Sequence, residues 1–322
     1  MAAMNMVQAI NLALKQEMAR DNNVIVLGED VGKNGGVFRV TEGLWQQFGD
    51  TRVADTPLDE TGIVGVSIGL AVYGMRPVAE IQFDGFSYLA FNQLINHAAR
   101  IRNRSRGRYH VPLVVRIPYG GGIRALEHHS DSPEAYFCHT PGLKVVVPST
   151  PYEAKGLLVS AIRDPDPVIF LEPKRVYRAI KEEVSEDEYT IPLSKCNVVQ
   201  EGSDITVVSW GAMLRICKEA IEKSKYSIEL IDVRTLSPLD TETIIKSVQK
   251  TGRAVIVQEA QRTCSFSSEL AALIAEQALL SLKAPVKRVT GYDVVTPLPK
   301  LENYYLPSVE KINKAVDELM KF

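Results

Sequence analysis

The chain has no C-x-x-C pair, no apolar run near the roughly 18 residues that a membrane span needs, and no block of one charge sign. Its four cysteines, Cys138, Cys196, Cys217 and Cys264, are scattered. That spacing excludes a zinc knuckle or a disulfide framework and predicts free thiols in a reducing compartment. Basic and acidic residues nearly balance, 37 against 39, so no basic field draws nucleic acid and no acidic tail is present. The first residues carry neither a basic head nor a long apolar core, so no signal peptide is read there. One catalytic signature is also missing, the G-x-x-x-x-G-K-[ST] phosphate loop. These absences predict a cytoplasmic protein with no nucleic-acid and no membrane partner.

What is present is ordinary core material, 45% hydrophobic over 322 residues, enough for two domains. Residues 4–20 carry apolar side chains at helical spacing. Short Val- and Ile-rich runs then alternate with helical patterns. Strands are predicted at Val24–Leu27, Arg52–Ala54, Val78–Phe83, Leu113–Ile117, Val145–Val147 and Val168–Leu171. Helices are predicted at Thr41–Phe48, Thr61–Tyr73, Ser87–Arg104 and 151–162. This βαβ order predicts parallel strands covered on both faces. Residues 180–196 are acidic and weakly apolar, which marks a linker at 181–200 between a domain at 1–180 and a domain at 201–322. The alternation restarts beyond it, from Ile205–Val208 to a closing helix at Ser308–Lys321. The loop Gly32–Gly36 reads as a flexible surface loop. Four polar or glycine-rich segments follow strand ends in the first domain: Gly28–Asp30, Thr56–Glu60, Phe83–Phe86 and Tyr119–Ser130. In such sheets ligands sit beyond the carboxyl ends of strands.

Two constellations stand out. In the stretch Asp55–Gly69, the acidic pair Asp59–Glu60 precedes a helix carrying Gly62, Gly65 and Gly69. Glycine costs a helix about 1 kcal/mol per position against alanine, so something is expected to approach this backbone closely. Thr56-x-x-Asp59 forms a passable capping box, and on the residues alone Glu60 reads as a cap in a first helical turn. The second constellation, Glu127 to Glu134, holds His128, His129 and Asp131 after the triple glycine Gly120–Gly122. Adjacent histidines rarely ligate one metal ion, and an acid/base histidine over a cofactor fits best. The same residues also read as a helix start, with Ser130 or Asp131 as N-cap and Pro133 at the first helical position. Cys138, near this loop, is the one thiol of interest.

These residues resemble a known family. The run Asp55–Gly69, the loop Tyr119–Gly122 and the segment HHSDSPEAYFCHTPGLKVVVPSTPYEAKGLL carry the resemblance, together with PVIFLEPKRVYR and LIDVRTLSPLD. They are similar, essentially end to end, to the beta subunit of thiamine-diphosphate-dependent 2-oxo acid dehydrogenases, the decarboxylating component. The resemblance implies an α/β, transketolase-like fold of two mostly parallel sheet domains covered by helices, the first binding the cofactor's pyrimidine. It implies oxidative decarboxylation of a 2-oxo acid with reductive acylation of a lipoyl carrier on a dihydrolipoyl acyltransferase core. It also implies an alpha subunit in an α2β2 heterotetramer. That subunit would hold the diphosphate and Mg²⁺ through a G-D-G…N motif, which this chain lacks.

Residue by residue, Glu60 matches the glutamate that hydrogen-bonds N1′ of the aminopyrimidine, and His129 matches the histidine that assists acyl transfer. His128 has no such counterpart. Glu29, Leu58 and Phe86 match positions that line the pyrimidine pocket. A K⁺ ion, held through backbone oxygens in some members, would fall at Leu113, Ala161, Asp164 and Asp166. The segments Ser132–Ala135, His139–Gly142 and Phe170–Lys174 look more like branched-chain enzymes, with pyruvate dehydrogenase or a non-catalytic assembly subunit as alternatives. The glycines behind Glu60 are expected to face another helix, at a subunit interface.

Overall fold

A computed structural model describes residues 1–322. Seven strands form one sheet, in the spatial order Thr235–Ser237, Lys144–Val146, Val168–Pro173, Val114–Tyr119, Arg76–Glu80, Val24–Gly28 and Val53–Asp55. Five form a second: Lys287–Val289, Ala254–Val257, Ile205–Ser209, Ile228–Asp232 and Asn197–Gln200. Each sheet is parallel except at one edge, where Thr235–Ser237 and Asn197–Gln200 run antiparallel. The expected α/β class of mostly parallel sheets holds. The strand interiors read Val-Val, Val-Ile and Ile-Val because both faces are buried. Val114 and Val168 face one core, and their neighbours Val115 and Ile169 the other. Each of these cores continues onto the second sheet, through Val207 on one side and Val208 on the other, so the two halves share their apolar interior.

Several elements depart from expectation. The first helix spans Met6–Arg20 and starts with a reciprocal capping box between Asn5 and Gln8. Before it, Ala2–Met4 pairs with Glu182–Val184, so the segment expected as linker carries one strand of a ribbon and, at Asn197–Gln200, an edge of the second sheet. Three-residue strands lie below what periodicity detects. The helix expected over Ser87–Arg104 is three pieces: a 3-10 turn at Asp84–Tyr88, a π-helical turn at Gln93–Ala98 and a short α-helix at Ile101–Arg104. Ser87 Oγ donates to the Asp84 carbonyl three residues back, at 2.6 Å, which closes the tight first turn. The Gly32–Gly36 loop is tied down rather than free. Gly32 N–H donates to Asp55 Oδ1 at 2.6 Å, and Gly36 N–H to the Asp30 carbonyl at 2.8 Å.

Sequence periodicity is also silent about a buried charge network at the carboxyl ends of the central strands. Arg116 is fully buried and donates to Glu80 Oε2 at 2.6 Å and in bidentate fashion to Glu172, at 2.7 and 2.9 Å. Tyr177 OH caps Glu172. Burial raises the Glu80 carboxyl above its ordinary pKa, against the pull of Arg116. One guanidinium therefore satisfies two carboxyls, with proton uptake available at the second. Arg116→Ala leaves both without their cation. We expect a loss of about 3–5 kcal/mol, read as a shift in the denaturant midpoint; a change under about 1 kcal/mol would remove this network from the stability argument.

Candidate functional site

The four segments beyond strand ends belong to four adjacent strands, Val114–Tyr119, Arg76–Glu80, Val24–Gly28 and Val53–Asp55. Parallel order brings their carboxyl ends, and the loops after them, to one edge of the sheet. Glu29 leaves the third of these strands through Gly28, whose added Cβ would lie 2.7 Å from the Glu80 carbonyl oxygen. Glu60 is the first residue of the helix Glu60–Tyr73 and is 2% exposed. It is not the cap. Asp59 is, accepting the Gly62 N–H at 3.0 Å, and the expected Thr56–Asp59 box does not form. Glu60 Oε2, Glu29 Oε1 and Thr56 Oγ1 are buried without partners. Such orphaned atoms are rare unless a ligand or water meets them. Burial, then the charge of Glu60, raises the Glu29 carboxyl above its usual range, so the two carboxyls sit close enough to sense each other.

His129 lies at the end of a 3-10 turn, Glu127–His129. Its ring stacks on Phe83 at 4.0 Å and meets the edge of Phe86 at 5.1 Å. Its Nδ1 is buried without a partner. His128 is exposed, 3.5 Å from Glu127. The expected helix start is different: the helix begins at Glu134 after Pro133, with no side-chain cap. Asp131 instead gives its N–H to Asp84 Oδ2 at 2.6 Å, and Asp84 pairs with the buried Lys174. Burial pushes the Asp84 carboxyl up to about 6 in spite of Lys174, and pushes Lys174 down. Gly85 is required here, because any Cβ would overlap the His128 carbonyl oxygen. The triple glycine takes carboxylates from the second half of the chain, Glu259 on the Gly121 N–H and Glu302 on the Gly122 N–H.

The structure therefore gathers Glu29, Glu60, Phe86 and His129 at one sheet edge. Leu58 is 80% exposed and touches this edge only through the chain's turn into the Glu60 helix. The glycines of that helix meet no helix backbone closely in this chain, and only Gly65 reaches a side chain of the π-helical turn Gln93–Ala98. Gly62 lies over its own cap, Asp59; Gly65 has only the Gln93 side chain, at 3.9 Å; Gly69 has nothing within 4 Å. The four K⁺ positions lie elsewhere, on the amino side of the sheet. Leu113, Ala161 and Asp164 carbonyls accept from Val168, the Asp164 N–H and Arg76, and Lys144 and Arg102 take the Asp164 and Asp166 carboxylates. Cys138 is half-buried beside Glu134, and removal from water pushes its thiol well up, away from the thiolate form. Phe83 and Asp84 carried no motif beyond their place after a strand, and Lys174 lay in the quoted PVIFLEPKRVYR segment with no role assigned to it.

Known proteins match along the whole chain. Residues 2–180 match the transketolase pyrimidine-binding domain, and residues 194–312 the transketolase C-terminal domain. A solved split-gene transketolase, described as an inactive beta4 tetramer, superposes with TM-score 0.82 over 99% of both chains at 21% identity, which establishes the fold. The two matched domains define a thiamine-diphosphate protein of the transketolase type. The pyruvate dehydrogenase E1 component subunit beta of Acholeplasma laidlawii is 51% identical over 100% of this chain and 99% of its own. The same-named proteins of Staphylococcus epidermidis and Staphylococcus aureus are 51% and 50% identical over the full length of both. The chain belongs to the beta subunits of the E1 component of 2-oxo acid dehydrogenases. The branched-chain leaning of the short segments finds no support, because these relatives are all named as pyruvate dehydrogenase beta subunits. No helix is long and apolar enough to cross a membrane.

The pocket residues fit a thiamine cofactor, since the orphaned Glu60 and Glu29 oxygens can meet ring nitrogens and the Phe86 ring can meet a flat ring. His129 is held below the usual histidine pKa, first by removal from water and then by the neighbouring His128 and Lys174. Its NMR titration midpoint is expected below about 6.5. As pH falls through that window the unfolded chain binds the proton first, so the His129 contribution to stability declines with acid. A midpoint at or above the free-histidine value would contradict the packing of this ring.

Proposed function

We propose that this chain supplies the aminopyrimidine half of a thiamine-diphosphate site in an enzyme that oxidatively decarboxylates pyruvate. The observation that carries the proposal is the buried Glu60 carboxyl with an unpartnered oxygen, at the carboxyl edge of the sheet beside Glu29. We propose that an alpha subunit completes the site in an α2β2 heterotetramer and holds the diphosphate and Mg²⁺. The names of the relatives, all pyruvate dehydrogenase beta subunits, favour pyruvate over branched-chain acids. In this reading residues 1–180 form the pyrimidine-binding domain, 181–200 a linker and 201–322 the C-terminal domain. The enzyme belongs in a reducing, cytoplasmic compartment, where the four free thiols persist.

Bound thiamine diphosphate supplies an electron sink for loss of CO₂. Glu60 binds the pyrimidine N1′ and holds a proton at that atom. Its burial strengthens the bond, because no water competes for the carboxyl. Glu29 and Phe86 line the pocket, and Leu58 joins them once the partner covers it. His129, neutral at pH 7 with its ring fixed on Phe83, accepts or donates a proton during transfer of the acyl group to a lipoyl group on the acyltransferase core. A K⁺ ion at Leu113, Ala161, Asp164 and Asp166 would use the second lone pairs of their carbonyls and would brace the sheet far from the chemistry.

Co-expressed with its alpha subunit, Glu60→Ala is expected to lower decarboxylation by at least about a hundredfold while the tetramer still forms. Near-normal turnover would reduce the chain to an assembly subunit. His129→Ala is expected to slow acylation of a lipoyl domain more than decarboxylation read with an artificial electron acceptor. Assayed on a panel of 2-oxo acids, the wild-type pair should give its highest kcat/KM with pyruvate; a higher value with a branched-chain acid would reverse the substrate assignment.

A further inference from the structure

The Asp84–Lys174 pair lies outside the groups that meet cofactor or substrate, yet it ties the turn that carries Phe86, and the Phe83 ring before it, to the loop that carries His129. Phe83 and Phe86, the two rings against which His129 packs, flank Asp84 in one 3-10 turn. The Asp84 carboxylate splits its oxygens. Oδ2 accepts the Asp131 N–H at 2.6 Å, two residues beyond His129, and Oδ1 takes the Lys174 ammonium. Lys174 also reaches the Pro118 carbonyl at 3.3 Å and lies 5.6 Å over the Phe83 ring. On the other side of the same residue, the Asp131 carbonyl accepts the Gly120 N–H at 2.8 Å. Both side chains of the pair are fully buried.

We propose that Asp84, oriented by Lys174, is a positioning residue for acyl transfer, fixing the His129 loop in register with the Phe83–Phe86 walls. The inference rests on the assignment of acyl transfer to His129. The physical reason is that a catalytic ring must be held to within about half an ångström, which a loop achieves only when its backbone is anchored. A carboxylate that accepts a backbone N–H at 2.6 Å is a strong anchor, and burial denies it the alternative of water. Lys174 prevents the carboxylate from rotating away and balances its charge.

The test separates the anchor from the charge. In the alpha–beta enzyme, Lys174→Met is combined with Asp84→Asn or with Asp84→Ala. The pair without charge avoids an orphaned buried ion, and only asparagine retains an acceptor for the Asp131 N–H. Acylation of a lipoyl domain should fall by about tenfold or more in the alanine combination, in line with loss of a charge-assisted hydrogen bond, and should recover largely in the asparagine combination. Decarboxylation read with an artificial acceptor should fall less than acylation, and the His129 titration midpoint should move towards that of free histidine only in the alanine combination. Asp84→Leu replaces Asp84→Ala if that protein fails to assemble. Equal acylation by the asparagine and alanine combinations would overturn the anchor. A parallel fall of both half-reactions would also overturn it, by making the pair structural only. His129→Ala is run beside them: if it acylates normally, the assignment of His129 fails, while the titration midpoint still decides whether Asp84 holds the ring.

Discussion

The structure depends on how it keeps buried carboxyls from repelling one another at the carboxyl ends of parallel strands. A sheet covered on both faces leaves only its ends for polar groups. Glu29, Glu60, Glu80, Asp84, Glu134, Glu172 and Glu259 are all buried, and the first strand ends hold only two fully buried cations, Arg116 and Lys174. An unpaired buried ion costs several kcal/mol, so two cations cannot balance seven charges. The chain uses two other devices. Backbone N–H groups meet some oxygens, as Gly121 does for Glu259. Proton uptake neutralises others: burial raises Glu29, Glu80 and Glu259, and brings Glu134 up to about 7. The site thus grows out of a region already arranged to hold protons on carboxyls.

The same constraint joins the two halves of the chain. The glycine loop after Tyr119 has no side chains to place, so its N–H groups are free for Glu259 and Glu302 from the second half. Thr296, also from that half, lies 3.4 Å from Asp131. The strand Thr235–Ser237 extends the first sheet. The His129 loop is consequently held from both sides: Asp84 and Lys174 on the pyrimidine-binding half, and Thr296 with the two glutamates on the other. The second half therefore takes part in setting the geometry of a histidine it does not contain.

The fold was legible where hydrophobic period carried it. Parallel strands such as Val114–Tyr119 and Val168–Pro173 read directly from their continuous apolar runs, and Glu60 and His129 were reachable because each follows a strand in a distinctive local context. What escaped was information that resides in pairs. Arg116 and Glu172 are 56 residues apart, Asp84 and Lys174 are 90 apart, and neither has a periodic or spacing signature. The Ser87–Arg104 segment has the right composition for a helix, but the Asp84 turn and a π-helical turn override that propensity. Thr56 looked like half of a capping box, yet Asp59 alone does the capping, and Thr56 Oγ1 has no partner. The rule that acidic first turns are caps accordingly assigned Glu60 the role that its neighbour fills.

The glycine-rich helix behind Glu60 gives the remaining physical argument. Its glycines cost roughly 1 kcal/mol each, yet only the Gln93 side chain of the π-helical turn comes near one of them, Gly65, at 3.9 Å. The face they share also exposes Val66, 58% accessible, and Tyr73, 88% accessible, with Leu58 at its mouth. A solvent-facing helix gains nothing from such residues: charged side chains with i,i+4 partners would stabilise it better. A helix that must accept another backbone at short range requires small residues with large apolar ones between them. Glu60 opens the opposite, buried face of the same helix, with Ile63, Val64, Ser67 and Ala71, and its unpartnered oxygen lies in the first turn. The unpacked face and the unfinished hydrogen bonding therefore belong to one helix but to different sides of it. Under the proposed assembly, a partner that packs on the exposed side would fix the helix whose first turn carries Glu60, so that subunit association and cofactor binding would strengthen each other by linkage.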